Sequence, residues 1–368
     1  MLDGSPPPSR TWAEVDLAAV RHNVRALIGR AGDTPLMAVV KADAYGHGAV
    51  PVARAALEAG AASLAVVTAG EGAELRGVGI TAPILVFTDL GPDGLLAARE
   101  HGLTVTAHSV ESAKRVVSVP GLRAHLKVNT GMNRWGVEPS EVGQARKILG
   151  GRISGVYTHF SSADSDARET RRQTDLFDAV LADQPFGGVV VHAANSAALL
   201  WHPESRYGCV RPGISLYGLH PKGDAGDPEE EGLRPAMTLK SYVAGRRRLL
   251  TGEGVSYGLT YRAGGPTFAA TVPVGYAEGY RRALSGRGHA LIRGVRRPLL
   301  GRVTMDACVF GVDDGVEVGD EVMLLGEQEG ERVTAEEIGR LAGTINYEIT
   351  TGVNPRRVER SYKDVRGS

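Results

Sequence analysis

Five short segments carry polar residues of types that do chemistry together. Lys41 stands in VVKADAYGHG, Arg134 in LKVNTGMNRWG, His159 in THFSSAD and Ser196 in HAANSAA, while RPGISLYG holds Arg211, Gly213 and Ile214. A lysine amine can form a Schiff base with an aldehyde. A serine hydroxyl and the backbone N–H groups around a glycine can cradle a phosphate, because glycine has no Cβ to hold an anion away. A histidine can carry a proton, and an arginine, always protonated, can only donate a hydrogen bond.

These residues need elements that bring them together. From about residue 11 to 240 short apolar runs recur: LMAVV, SLAVV, PILVF, LTVTA, LRAHLKV, ISGVYT, VVVHAA and a weaker CVRPG. Stretches with helical periodicity, such as GAVPVARAALEAG and SVESAKRVVSV, lie between them. Near-continuous apolar strands separated by helices predict a parallel sheet covered on its outer face. About eight such units in roughly 230 residues is the size of a (β/α)8, TIM-like barrel; an open doubly wound sheet is the alternative. In a barrel the chemistry sits at the C-terminal ends of the strands, and the loops after the seventh and eighth strands often hold a phosphate. Lys41, Arg134, His159, Ser196 and Arg211 all fall at such ends. Singly, each reads as an ordinary loop or structural residue. Together, a lysine and a phosphate cradle at one barrel mouth fit pyridoxal 5'-phosphate.

Past a Gly-, Pro- and acid-rich segment, PKGDAGDPEEEGLRP at 221–235, the texture changes. Strand-like runs broken every 8–12 residues by Gly, Pro or Asp predict a mainly-β second domain. It contains one helical stretch, TAEEIGRLAG, with Thr334 and Glu337 spaced as a capping box. The domain expectation is an N-terminal extension at 1–10, a barrel at 11–240 and a β domain at 241–368.

Composition narrows the function class. Among 368 residues, 42 Lys+Arg balance 42 Asp+Glu, which argues against a nucleic-acid or anionic-membrane partner. The triplet Arg246–Arg247–Arg248 reads as a solvated face rather than a binding patch. Two cysteines, Cys209 and Cys308, make neither a disulfide framework nor a multi-Cys zinc site and suit a reducing cytoplasm. MLDGSPPPSR has no apolar stretch of the secretory kind. Dinucleotide, Walker-type and zinc-protease signatures are absent from the sequence. No metal site is expected. Glycine, 49 residues, is in excess, as backbone that turns tightly or approaches a ligand requires.

In order along the chain, VVKADAYGHG, LKVNTGMNRWG, THFSSAD, HAANSAA, RPGISLYG, GVSYGLTY, VGYAEGY and GRVTMD resemble the alanine racemase family, from about residue 11 to NYEI at 346–349. The resemblance implies a pyridoxal-phosphate barrel followed by a β domain, in a homodimer whose subunits complete each other's active sites. It implies interconversion of L- and D-alanine, supplying D-alanine for cell-wall peptidoglycan. Lys41 would be the Schiff-base lysine and one base, acting on the D-enantiomer; Tyr257 of the partner subunit would be the other, acting on the L-enantiomer. Two bases on opposite faces of Cα allow racemisation without the substrate turning over.

A tyrosine is a poor base near neutrality unless its anion is favoured, and the family sets His159 against that tyrosine and Arg211 against His159. Arg211 would also face the pyridine nitrogen and leave it unprotonated. Tyr45 and Tyr347, with Ser196, Gly213 and Ile214, match phosphate-binding residues. Arg134 matches the arginine beside the cofactor's phenolic oxygen and the substrate carboxylate. Met305 and Asp306 match carboxylate-end residues from the partner. Tyr276 and Tyr280 match the substrate entryway, with β-domain packing as the alternative. Lys127 matches a lysine that some members carbamylate. Thr304 departs from the Cys that many members carry there.

Three other readings remain at this point: a racemase of another small amino acid such as serine, a barrel-type amino-acid decarboxylase, and a lone-barrel pyridoxal-phosphate homeostasis protein. Arg211 stands against the decarboxylase, which has a carboxylate at the pyridine nitrogen. The β domain stands against the lone barrel.

Overall fold

The computed structural model describes residues 10–364, so the expected extension at 1–10 lies, but for Arg10, outside the described residues. The chain divides into two compact units. One holds residues 20–222 and 231–233; the other holds residues up to 19, 223–230 and those from 234 onward.

The first unit is the parallel structure that the apolar runs predict. Strands Met37–Val39, Ser63–Val66 and Ile84–Val86 pair in parallel, as do Val105–Ala107, Ala124–Lys127, Ile153–Tyr157 and Val190–His192. Isolated parallel bridges join the two sheets: Leu85 to Thr104 on one side, and His192 to Cys209 then Val210 to Leu36 on the other. The pairing therefore runs around a ring, and an open doubly wound sheet is excluded. The eighth stave is the weak run CVRPG, which forms only these bridges and no regular strand. Pro212 explains this, since it has no N–H for a ladder.

Helices follow the strands, and their starts are written in the sequence. Thr68 and Glu71 form a capping box for Ala69–Gly77, Asp166 caps Ala167–Asp183, and the Asn195 side chain accepts from Ala198 N at 3.0 Å to start Ser196–Trp201. Gly72 has a packing reason: a Cβ there would lie 2.6 Å from Leu103.

The second unit is mainly β, as its turn spacing predicts. Its larger sheet runs Val295–Pro298, His289–Ile292, Glu321–Gln328, Met237–Tyr242, Trp12–Asp16, Glu359–Lys363, with Glu331–Val333 pairing Glu321–Gln328. Gly245–Leu249, Thr267–Val272 and Cys308–Val312 form a smaller antiparallel sheet. Thr334 starts helix Ala335–Ala342 by accepting from Glu337 N at 3.1 Å.

The division differs from the expected boundaries at both ends of the barrel. Trp12–Asp16 pairs with Met237–Tyr242 and Glu359–Lys363, so this early strand belongs to the β unit. The position expected as the boundary, 240, falls inside Met237–Tyr242. In WAEVD, Ala13 and Val15 are buried on one face while Glu14 and Asp16 on the other are only partly buried, which suits a sheet with one solvated face better than a barrel stave. The acidic loop has a structural part: Asp227 and Glu229 pair with Arg332, while Glu231 accepts from Trp201 Nε1 at 2.8 Å.

Candidate active site

Lys41 follows strand Met37–Val39 and opens an unusual turn. Ala42, Asp43, Ala44 and Tyr45 all have φ of 52°. The left-handed conformation costs an L-residue about 1–2 kcal/mol, so a run of non-glycine residues in it must be held from outside. Several contacts hold it. Ala44 N donates to Val40 O at 2.9 Å, Gly48 N to Asp43 O at 2.9 Å, and Ala49 N to Asp43 Oδ1 at 2.7 Å. Gly46 and Gly48, also at positive φ, close the turn. His47 is buried and stacks on Tyr217 at 4.5 Å, while Tyr45 lies 5.0 Å from the same ring. Tyr217 donates in turn to Val39 O at 2.8 Å.

The other barrel residues gather at the same strand ends. Lys127 is buried, its Nζ 5.9 Å from the rings of both Trp135 and Tyr157. Arg134 is exposed, in a loop organised by Asn129, whose Oδ1 accepts from Gly131 N and Asn133 N at 3.2 and 3.1 Å. Burial, then the charge of Arg134, lowers the pKa of Lys41, against a smaller opposing effect of Glu71. Burial, then Arg134, Arg211 and Lys41, lower that of Lys127 to about 8. The barrel end is thus a basin of mutually repelling cations.

Arg211 is the hub beneath it. Its guanidinium donates to His192 Nδ1 at 2.8 Å, to the carbonyls of Thr158 and Ala193 at 2.9 and 3.0 Å, and to His159 Nδ1 at 3.3 Å. The resulting tautomer sends the His192 Nε2 proton toward His125 Nδ1, 2.8 Å away. Burial, then Arg211, pushes both His159 and His192 well below the usual imidazole range, and His125 down to about 3. All three are neutral acceptors or relays at neutral pH. The Tyr157 ring stacks on His192 at 4.6 Å and lies 5.1 Å from the guanidinium, and burial raises its phenol to about 12.

The loop after the seventh strand meets the eighth stave at Ser196, whose Oγ accepts from Gly213 N at 2.9 Å and Ser215 N at 3.4 Å. Ile214 opens the 3-10 turn Ile214–Tyr217, which has no side-chain cap. A Cβ on Gly213 would stand 2.5 Å from Tyr45 Oη, so any larger residue there would have to push that phenol aside.

In the β unit a cleft of ≈ 450 Å³ is lined by Tyr257, Tyr276, Arg282, Arg302 and residues 303–306. Gly275 is obligatory there, because a Cβ would collide with the carbonyl oxygens of Thr304 and Met305. Arg357 donates to Asp306 Oδ1 at 2.6 Å and to the buried Glu278 at 2.7 Å, bracing the Met305–Asp306 turn. Thr304 keeps that turn as well, its hydroxyl donating to Ala307 O at 2.7 Å and accepting from Ala307 N at 3.2 Å.

The comparisons match this architecture along its length. The model of the alanine racemase N-terminal domain matches residues 15–221, and that of the C-terminal domain matches 236–362. The chain belongs to the alanine racemase family. It is 46% identical to alanine racemase of Symbiobacterium thermophilum over 98% of both chains, and 41% identical to alanine racemase 1 of Bacillus subtilis over 94% of this chain and 91% of that one. The crystal structure of alanine racemase from D-cycloserine-producing Streptomyces lavendulae superposes with a TM-score of 0.90 at 41% identity, covering 97% of this chain and 98% of that one. That from E. faecalis gives 0.91 at 35%, covering 96% and 98%. As an alanine racemase family enzyme, the chain interconverts L- and D-alanine.

Within this family member, Lys41, Tyr45, Lys127, Arg134, His159, Ser196, Arg211, Gly213 and Ile214 all lie in the barrel unit, and Tyr257, Tyr276, Met305 and Asp306 line the cleft of the β unit. Tyr347, on helix Asn346–Thr351, does not line that cleft. Tyr280 is core: it is buried, and a Cβ on Gly288 would meet its Oη at 2.7 Å. Sequence reasoning passed over His125, His192, Tyr157 and Glu71. The signal for the first two was present, as a histidine within each of the strand-like runs AHLK and VVH.

Proposed function

We propose that this enzyme racemises alanine on pyridoxal 5'-phosphate by a two-base route, as a cytoplasmic homodimer supplying D-alanine for peptidoglycan. The observation that carries the reading is the cationic basin of Lys41, Lys127, Arg134 and Arg211 beside the Ser196–Gly213 cradle. Crowded cations with depressed lysine pKa values fit anions brought by ligands: a phosphate, a phenolate and a substrate carboxylate. When bound, the cofactor supplies an aldehyde for an amine and a ring that draws electrons from Cα.

The chain's own groups would divide the remaining work. Lys41 Nζ, its pKa lowered, takes or returns the Cα proton on the face used by the D-enantiomer. Tyr257 of the partner subunit would do so on the other face. Tyr45, Ser196, Gly213 and Ile214 would hold the phosphate, joined by Tyr347. Arg211, a donor only, would meet the ring nitrogen without protonating it. Arg134 and the Met305–Asp306 turn would take the carboxylate. A buried amine at Lys127 with a pKa near 8 among cations suits carbamylation, which would exchange a repelled cation for an anion. Exposure supports the shared site: Tyr257 is 74% exposed and Met305 51%.

The test is optical rotation of L-alanine and of L-serine with wild type, Lys41→Ala and Tyr257→Phe. Wild type abolishes the rotation of alanine, and both variants lose at least a thousandfold, on the scale of removing an acid–base group. Normal turnover from the L side by Tyr257→Phe would remove the two-base assignment.

A further inference from the structure

A capping-box glutamate ordinarily serves its own helix. Glu71 does more. Its Oε2 accepts from Val67 N at 2.7 Å and from Thr68 N at 3.0 Å, which caps Ala69–Gly77. Its Oε1 accepts from Ala42 N at 2.7 Å, on the turn that follows the neighbouring barrel strand. Ala42 is the first of the residues held at φ 52°, and Lys41 is its immediate neighbour. No local geometry requires this bond. The cap is complete without Oε1, since Thr68 Oγ1 already accepts from Glu71 N at 3.1 Å and Oε2 returns to Thr68 N.

The Val40 carbonyl and the Tyr217 ring bear on later residues of the turn. Ala42 N is tied only by Glu71 among the described residues. A charged acceptor on a backbone N–H is about twice as strong as a neutral one. The carboxylate therefore fixes the one peptide unit that joins Lys41 to its strained turn, and so fixes the direction in which Lys41 leaves the backbone.

We propose that Glu71 is a positioning residue for Lys41, holding the lysine's backbone through Ala42 N while capping the next helix with its other oxygen. The inference rests on the reading of Lys41 as a base. The Glu71 charge also acts on the lysine, opposing the lowering of its pKa by burial and by Arg134.

Glu71→Gln separates the two duties. Its single carbonyl oxygen can keep the cap, while its amide turns a donor toward the Ala42 N–H. In the full-length holoenzyme, hydrogen–deuterium exchange in the peptide over residues 41–46 rises about tenfold, the loss expected for a charge-assisted hydrogen bond. The kcat falls by a similar factor, and the primary isotope effect rises with Cα-deuterated D-alanine and not with L-alanine, because the lysine step becomes more limiting. Thr68→Val is the control: it removes the hydroxyl cap and leaves Oε1 in place, so it lowers stability and moves neither readout. Glu71→Asp, too short to reach Ala42, repeats the exchange change if Glu71→Gln does not fold.

Unchanged exchange over 41–46 in the Glu71 variants overturns the clamp. Faster exchange with unchanged kinetics overturns positioning. The same isotope shift in Thr68→Val reduces the effect to helix capping. The exchange readout does not depend on the role of Lys41, whose failure would show separately as full activity in Lys41→Ala.

Discussion

The two halves of this chain's chemistry are built in opposite ways. In the barrel unit the functional groups, Arg134 apart, are sunk, hydrogen-bonded and electrostatically displaced: Arg211 is buried with four partners, and His125, His159 and His192 are held neutral. In the β unit Tyr257 and Met305 stand in the open, Met305 on a braced turn. Preorganisation costs stability where polar groups are desolvated, and costs little where they remain wet. The barrel half holds its groups by internal contacts; the β half leaves its groups exposed.

The sharpest way to break this contrast is Arg211→Ala. It strands the Thr158 and Ala193 carbonyls and the His192 acceptor in the interior, each a loss of roughly 1–3 kcal/mol. Chemical denaturation should show a fall of about 3–5 kcal/mol, near the upper range for single substitutions. A fall under about 1 kcal/mol would mean that the hub is not structural.

Acid provides the next largest effect. Burial keeps His108 down at about 4 and His125 at about 3, with His159 and His192 lower than the usual range. Unfolded, each would take a proton near pH 6.5. Between these limits the unfolded state binds more protons, so stability is fully present above pH 6.5 and is lost as pH falls toward the folded values. Denaturation midpoints measured from pH 7 to 4 should fall steeply, and His125→Gln should flatten the slope by about one proton.

Gly213→Ala probes the cradle. The added Cβ would press on Tyr45 Oη, a side-chain tip that can shift. The fold should survive, while cofactor affinity, followed by absorbance on dialysis, falls about tenfold or more. The smallest stability effect belongs to Tyr257→Phe. With 74% exposure its hydroxyl loss should change stability by less than about 0.5 kcal/mol, while the proposed two-base route expects turnover from the L side to be lost. A large destabilisation would show that the tyrosine is not the exposed arm described above.

How much of this was legible beforehand follows from what local patterns encode. Strand ends announced themselves through apolar runs, so Lys41, His159, Ser196 and Arg211 could be placed on one rim. The ring's weak stave, CVRPG, was also visible as a short apolar run. What was not legible depends on partners distant in sequence. WAEVD ends in alternating apolar and acidic residues like many half-buried strands, and nothing local says that it pairs with residues 237–242 and 359–363. The left-handed turn at Ala42–Tyr45 runs against residue propensity, because alanine and tyrosine do not favour positive φ. Glu71 was passed over: its capping role needed the strand end to be placed, and the bond of its second oxygen to Ala42 N spans neighbouring strands. Tyr276 and Tyr280 share one motif, and only packing separated the exposed one from the buried one.

The pairing of Trp12–Asp16 also sets a timetable. On the ribosome this strand emerges well before its partners: its antiparallel neighbour begins at Met237 and its parallel neighbour ends at Lys363. At about 5–20 residues per second the early strand waits on the order of ten to forty seconds for its first partner. Every stave of the barrel, Leu36 to Val210, is made within that interval. The nascent chain can therefore complete its ring while both borders of Trp12–Asp16 remain open, an alternating edge available to other chains. Slowed synthesis past residue 222 would lengthen that exposure, and a chain ending before residue 359 would make it permanent on one side.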